Sequence, residues 1–241
     1  MELTPSLAEH VAKIAREAGE LIVRIREQGL TPERKGDNTP VTEADKAADK
    51  LIVKQLQPLT PSLPIVSEEG GYLPDAATLP ERFWLVDPLD GTSGFIRGGK
   101  NFTVNIALVE HHKPVFGVIY APIFNEMYAG AKRLGAYRIK DGRKETIHLR
   151  NEIDIPIVLV SSHHAVDEKE VVNKRFPNAD VRPLSSSVKF CRVAEGGADV
   201  YLRAGQTSEW DTAAGQAIVE AAGGKVELKL LPYAVACVDL D

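Results

Sequence analysis

The chain has 241 residues, 44% apolar and 26% charged, with a formal net charge of −5. That length suffices for one large domain or two small ones with a real core. The acidic balance argues against a nucleic-acid polymer as partner, because phosphate-backbone binders carry a basic excess, and leaves open a small anionic substrate held by a local basic pocket or through metals.

Near the start, Leu7, Val11, Ile14, Ala18, Leu21 and Ile25 recur at steps of three and four, which predicts a long amphipathic helix begun at Thr4-Pro5. No basic segment followed by an apolar core precedes it, and no run of about 18 apolar residues occurs anywhere. No secretory signal and no membrane span are therefore expected, and the location is read as cytoplasmic, with room for peripheral association with the inner membrane. The polar run 31–42 reads as a loop or hairpin tip. Thr42 then caps a second helix, residues 43 to about 57, with Asp45 as the acidic member of a capping box.

Leu63-Pro64-Ile65-Val66 is a short apolar piece that runs into Ser67-Glu68-Glu69. Phe83-Trp84-Leu85-Val86 reads as a buried strand stopped by Pro88 and Gly91; it delivers Asp87 and Asp90 into the turn Gly91-Thr92-Ser93-Gly94. Residues 103–110 and 115–121 are predicted strands joined by His111-His112-Lys113-Pro114, and 127–131 is a further strand. The polar stretch 140–152 reads as the boundary between an N-terminal α+β half, 1–150, and a C-terminal α/β half, 151–241. In the second half a strand at 155–162, helices near 168–175 and 187–195, a strand at 198–202 and a helix at 212–222 alternate, as in a layered α/β fold. Cys191 and Cys237, the two cysteines, give neither a disulfide framework nor a zinc spacing, so a reducing compartment is expected.

Asp87 and Asp90, if close together, cannot both stay ionised without a cation between them, and the glycine turn behind them offers backbone N–H groups to a phosphate oxygen. Glu68 and Glu69 follow a strand in the same manner, and Asp45 and Asp211 open helices whose dipoles favour the ionised carboxylate. Taken singly, each acid reads as a cap or a solvated loop residue. Their joint occurrence at element ends, where loops gather, points to one site. An all-oxygen set without clustered His or Cys favours Mg²⁺ over zinc.

Asp87-Pro88-Leu89-Asp90-Gly91-Thr92 and Trp210-Asp211-Thr212-Ala213-Ala214-Gly215 resemble the paired signature of the inositol monophosphatase superfamily, which comprises metal-dependent, lithium-sensitive phosphatases. Pro40-Val41-Thr42 with Asp45, and Ser67-Glu68-Glu69, supply its other motifs in order. The resemblance implies the sugar-phosphatase αβαβα sandwich. It implies that Glu68, Asp87 and the carbonyl of Leu89 hold one Mg²⁺, that Asp87, Asp90 and Asp211 hold a second, and that Asp45 positions a third ion or the attacking water. Thr92 would share in activating that water, with Gly91, Thr92 and Ser93 cradling the phosphate. Glu69 would support Glu68. In-line displacement of this kind needs positioning and charge neutralisation rather than a nucleophilic Cys or Ser.

Leu184-Ser185-Ser186-Ser187-Val188-Lys189-Phe190-Cys191 is similar to a segment of the 3'(2'),5'-bisphosphate nucleotidase, CysQ-like branch. Hydroxyls and N–H groups at a helix start with a lysine one turn in suit a second phosphate. Ser186, Lys189 and Arg203 would hold it; His164 is the match to the branch's histidine, although Ser162 or His163 stands where the branch has an arginine. The polar loop that the family places before its last strand is shorter here. The expected function is hydrolysis of the 3'-phosphate of adenosine 3',5'-bisphosphate to AMP, in support of sulfate assimilation, with the phosphosulfate analogue as a second substrate. Inositol-1-phosphate hydrolysis is the alternative within the class, and a non-catalytic protein associated with RNA polymerase or RNA the alternative outside it. A monomer or homodimer is expected.

Overall fold

The computed structural model describes residues 3–36, 40–70, 80–162, 165–204, 207–228 and 233–237. Helix α1 (Pro5–Gln28) follows the predicted spacing. Thr4 Oγ1 accepts the Leu7 N–H at 3.2 Å, Val11, Ile14, Ala15, Ala18 and Ile22 bury one stripe, and Gly29 at φ 100° ends the helix. After the two-residue hairpin strands β1 (Glu33–Arg34) and β2 (Pro40–Val41), helix α2 (Glu43–Leu59) opens on the expected capping box of Thr42 and Asp45.

Seven strands then form one sheet in chain order: β3 (Ile65–Ser67), β4 (Arg82–Asp90), β5 (Thr103–Glu110), β6 (Lys113–Ala121), β7 (Glu126–Ala131), β8 (Gly135–Lys140) and β9 (Arg143–Thr146). A short helix, α3 (Thr92–Ile96), lies between β4 and β5. Only β3 and β4 run parallel; the rest is an antiparallel meander. Two expectations need correction. Pro88 does not stop the strand: β4 continues to Asp90 through an irregularity of register between Asp87 and Asp90, where a residue without an N–H does no harm. The β5–β6 turn is His111-His112 alone, both at positive φ (48° and 61°), so Lys113 and Pro114 belong to the strand. Residues 135–146, at the start of the polar stretch 140–152, form the β8–β9 hairpin that ends the large sheet; β9 is exposed along its whole length and carries no apolar signal.

The second sheet has the order β11–β10–β12–β14–β13, from β10 (Ile157–Ser161), β11 (Asp180–Leu184), β12 (Val200–Ala204), β13 (Lys225–Leu228) and β14 (Tyr233–Cys237). Its first three strands are parallel, joined by α4 (Ala165–Arg175) and α5 (Val188–Ala194), as strand–helix alternation requires. β11 escaped the sequence reading because it is a polar edge strand containing Pro183. Helix α6 (Glu209–Ala221) packs against β5, β6 and β7 on one side and β13 on the other.

The layers run α1 and α2, the seven-stranded sheet, α5 and α6, the five-stranded sheet, then α4; one apolar cluster fills the first interface, a second spans both faces of the central helical layer, and a third lies under α4. This is the expected αβαβα sandwich. Two glycines set the central layer. A Cβ on Gly117 of β6 would stand 2.2 Å from the Ala214 carbonyl oxygen, and one on Gly215 would stand 2.3 Å from the Phe190 ring. Helix α6 therefore lies against the sheet backbone to backbone, which fixes the height of its first turn. Among the described residues no helix is long and apolar enough to cross a membrane.

Candidate active site

The end of β4, the first turn of α6 and the loops after β3 and β4 meet at one end of the large sheet. Carboxylate oxygens of Asp87, Asp90 and Asp211 come within 4.8 Å of one another. Asp211 is held by the cap it makes: its Oδ2 accepts from Ser208 N at 3.0 Å and from Thr207 Oγ1 at 2.9 Å. Asp87, 1% exposed, accepts the Leu89 N–H on Oδ1 at 3.0 Å. Its Oδ2 is buried and has no hydrogen-bond partner, and the Glu68 carboxylate is near enough to Asp87 to act on its charge. Burial first, then the charges of Glu68, Asp90 and Asp211, push the Asp87 pKa well above the usual range. Burial and Asp211 likewise raise Asp90 to about 6, against the opposing pull of Lys189, the Ser187 N–H and Thr103.

Three converging carboxylates, one with an orphaned buried oxygen, fit a hard divalent cation, since an all-oxygen donor set is what such an ion takes. Glu68 stands slightly apart. Its Oε1 pairs with Lys35 Nζ at 2.9 Å, and the same ammonium reaches Glu69 Oε1 at 2.6 Å. Lys35 thus brings Glu69 beside Glu68. Burial would lower the Lys35 pKa, but the two glutamates together raise it.

Asp45, at 2% exposure, takes the Thr42 N–H and hydroxyl on Oδ2 at 2.8 and 2.6 Å and turns Oδ1 to the Thr92 hydroxyl at 3.0 Å. Thr92 Oγ1 also lies 2.9 Å from the Leu89 carbonyl oxygen. Gly91, at φ 90°, adopts the left-handed conformation that lets α3 start directly off the strand; Thr92 and Ser93 form its first turn.

A cavity of about 490 Å³ joins Glu68, Asp90, the Gly91–Gly94 turn and Asp211 to Ser186, Lys189 and Arg203. Lys189 is 4% exposed; its Nζ donates to the Ser186 carbonyl at 2.6 Å and lies 4.8 Å from the Tyr201 ring centre. Burial lowers its pKa to about 8, with Asp90 opposing and Arg203 adding to the fall. Arg203 is 3.9 Å from the fully buried Glu168, which also accepts the Ser161 N–H. His163 and His164 lie outside the described residues. A larger cavity, about 610 Å³, opens at the far end of the sheet beside Arg82 and Lys113 and contains none of these groups.

Sequence reading missed Thr103, Asn105, Ser187, Tyr201 and Thr207. The first two had a signal. They are alternate polar positions in an otherwise apolar strand, and they pair with Asp90 and Asp87 in the β4–β5 register.

The layering and the carboxylates gathered at one sheet end define a layered α/β phosphatase. The description "Inositol monophosphatase family" matches residues 5–228, and the chain belongs to that family. It is 43% identical over 222 residues to the 3'(2'),5'-bisphosphate nucleotidase CysQ of Salmonella typhimurium, covering 91% of this chain and 89% of that one. Among solved structures it resembles CysQ from Bacteroides thetaiotaomicron, at 33% identity and TM-score 0.81 over 98% of both chains. It also resembles the extragenic suppressor protein suhB from Bartonella henselae, at 26% identity and TM-score 0.80 over 97% of this chain and 94% of that one.

Proposed function

We propose that the protein hydrolyses the 3'-phosphate of adenosine 3',5'-bisphosphate, giving AMP and phosphate, with the 3'-phosphosulfate analogue as a second substrate. One observation carries the choice: the buried Lys189, with Arg203 and Ser186, lines the same cavity as the acidic cluster, so a second anionic group can sit beside the one being cleaved. The names of the relatives at 34–43% identity support the same choice.

In this reading Asp87, Asp90 and Asp211 hold Mg²⁺, with Glu68 and the Leu89 carbonyl completing the set for two or three ions. Bound there, the cations supply Lewis acidity and neutralise charge at the phosphoryl group. The remaining tasks fall to the chain. Amides of Gly91, Thr92 and Ser93 receive the 3'-phosphate oxygens. Thr92 Oγ1 gives its one proton to Asp45 Oδ1 and keeps lone pairs to accept from the attacking water, which Asp45 thereby orients. Water oxygen bonds to phosphorus as the bond to the 3'-oxygen breaks; the water gives up one of its protons and the 3'-oxygen takes one up, so the products are the nucleoside hydroxyl and hydrogen phosphate. Ser186, Lys189 and Arg203 hold the 5'-phosphate and keep the reacting bond in line.

The test is a comparison of kcat/KM for adenosine 3',5'-bisphosphate and inositol-1-phosphate with Mg²⁺ present. A preference of at least about 100-fold for the bisphosphate is expected, worth about 2.7 kcal/mol. A preference for inositol phosphate overturns the assignment.

A further inference from the structure

Asp90 joins the acidic cluster to the turn that precedes α5. Its Oδ2 accepts the backbone N–H of Ser187 and lies 3.4 Å from the Thr103 hydroxyl. Ser187 adds a second tie through its side chain. Its Oγ, on a residue only 3% exposed, is 2.7 Å from Thr103 Oγ1 and 2.8 Å from Asn105 Oδ1. Asn105, Ser187, Thr103 and Asp90 thus form one continuous line of polar groups, in which neither hydroxyl yet has a part in the reaction.

The protons along that line have a preferred direction. On the other side of its amide, Asn105 Nδ2 is buried and meets no acceptor. The amide oxygen and nitrogen are nearly equal in shape, so turning the group over aims an N–H at Ser187 Oγ. Each donor then has an acceptor in order. Asn105 Nδ2 donates to Ser187 Oγ, Ser187 to Thr103 Oγ1, and Thr103 to Asp90 Oδ2. The amide oxygen takes the unpartnered place, the less costly of the two to leave unpaired. A line ending on a carboxylate is favoured over the opposite polarity, because a hydrogen bond to a charged acceptor is about twice as strong as one between neutral groups.

The same residue is fixed from the other side. Ser186 sits at φ +61°, a left-handed conformation uncommon for serine, and its carbonyl accepts from Lys189 Nζ at 2.6 Å. Ser187 therefore cannot shift relative to Asp90 without disturbing the Ser186–Lys189 contact. We infer that Ser187 is a positioning residue that couples the two parts of the cavity: an anion seated on the Ser186–Lys189 turn tightens cation binding at Asp90, and the Ser187 side chain carries that coupling. By linkage the cation tightens the anion by the same factor. The inference rests on the reading of the turn as the 5'-phosphate seat and of the acidic cluster as a cation site.

Mn²⁺ binding to the full chain, followed through the electron paramagnetic resonance of the free ion with and without saturating AMP, tests it. In the wild type AMP is expected to tighten Mn²⁺ by about 10-fold. In Ser187→Ala and Thr103→Val, checked for folding by thermal melting, the effect is expected to fall below about 2-fold, while Thr103→Ser, which keeps the hydroxyl, retains it. Undiminished coupling in Ser187→Ala, or AMP binding without any effect on Mn²⁺ in the wild type, overturns the inference alone. Calorimetry of AMP with metal-free protein separates the two readings, because an absence of AMP binding removes the nucleotide seat itself and the coupling with it. Should Ser187→Ala fail to fold, the Thr103 pair decides: equal coupling in Thr103→Val and Thr103→Ser overturns the inference.

Discussion

At Asp90, function and stability pull in opposite directions. Its carboxylate is buried and shares a space of 4.8 Å with two others, so the cation-free protein carries like charges that burial makes costly. Asn fills the same volume and still accepts the Ser187 N–H. Asp90→Asn is therefore expected to lower kcat/KM by about 10³-fold or more through loss of a cation ligand, a change of several kcal/mol. In the presence of a chelator it is also expected to raise the melting temperature by about 2–4 °C, equivalent to about 1 kcal/mol. Enzyme assays and melting curves on the one variant read both effects, and retained activity would show that the cation ligands have been misassigned. Legibility also divides at this scale. Asp45, Glu68, Asp87, Asp90 and Asp211 each stand at the end of an element, where a charge in the chain invites attention. Thr103, Asn105 and Ser187 are neutral, short and buried, and gain meaning only from what faces them across a strand pair or from a distant turn.

Elements with strong apolar periodicity were readable, and elements defined by their neighbours were not. Helix α1 declared itself through the apolar stripe of Val11, Ile14 and Ala18, and α2 through the Thr42–Asp45 cap. Strands β9 and β11 are edges with polar faces, so neither alternation nor burial marks them. Helix α6 was expected from its sequence, but nothing there foretells how near it approaches the sheet; that follows from Gly117 of β6 and Gly130 of β7 lying at the crossing. Gly117→Ala places a methyl 2.2 Å from the Ala214 carbonyl oxygen, which must move. A loss of about 3 kcal/mol is expected, at the upper end of what overpacking costs, read as a fall in melting temperature of roughly 6–12 °C. An unchanged melting curve would mean that α6 can slide.

For the whole molecule, the candidate site draws on structure distant in sequence. Asp87 and Asp90 belong to the large sheet, Asp211 to the central helical layer, and Arg203 to the small sheet. A cation bound by these carboxylates binds the folded state and not the unfolded chain. Mg²⁺ or Mn²⁺ at about 100 times its dissociation constant is therefore expected to stabilise the protein by about 2.7 kcal/mol and to raise its melting temperature by roughly 5–10 °C, reversed by a chelator. Calorimetry with and without the ion measures this, and no shift at saturation would contradict a cation site built from both layers. The layered architecture itself was legible from strand–helix alternation together with the family motifs. The meeting of the layers around one cavity was not, because it depends on contacts between residues more than a hundred positions apart, such as Asp87 and Asp211.

If Asp211 holds a cation as proposed, the close seat of α6 on β6 bears on which ions fit there. A backbone-to-backbone crossing has no side chain that can rotate to take up slack, so Asp211 hangs from a nearly rigid bracket over the end of β4. Ligands on such a bracket cannot contract around a small guest or spread around a large one. Mg²⁺ asks for oxygens at about 2.1 Å and Ca²⁺ at about 2.4 Å, with more of them. In that reading the seam of small residues, remote from the charge, makes ionic radius a criterion for admission.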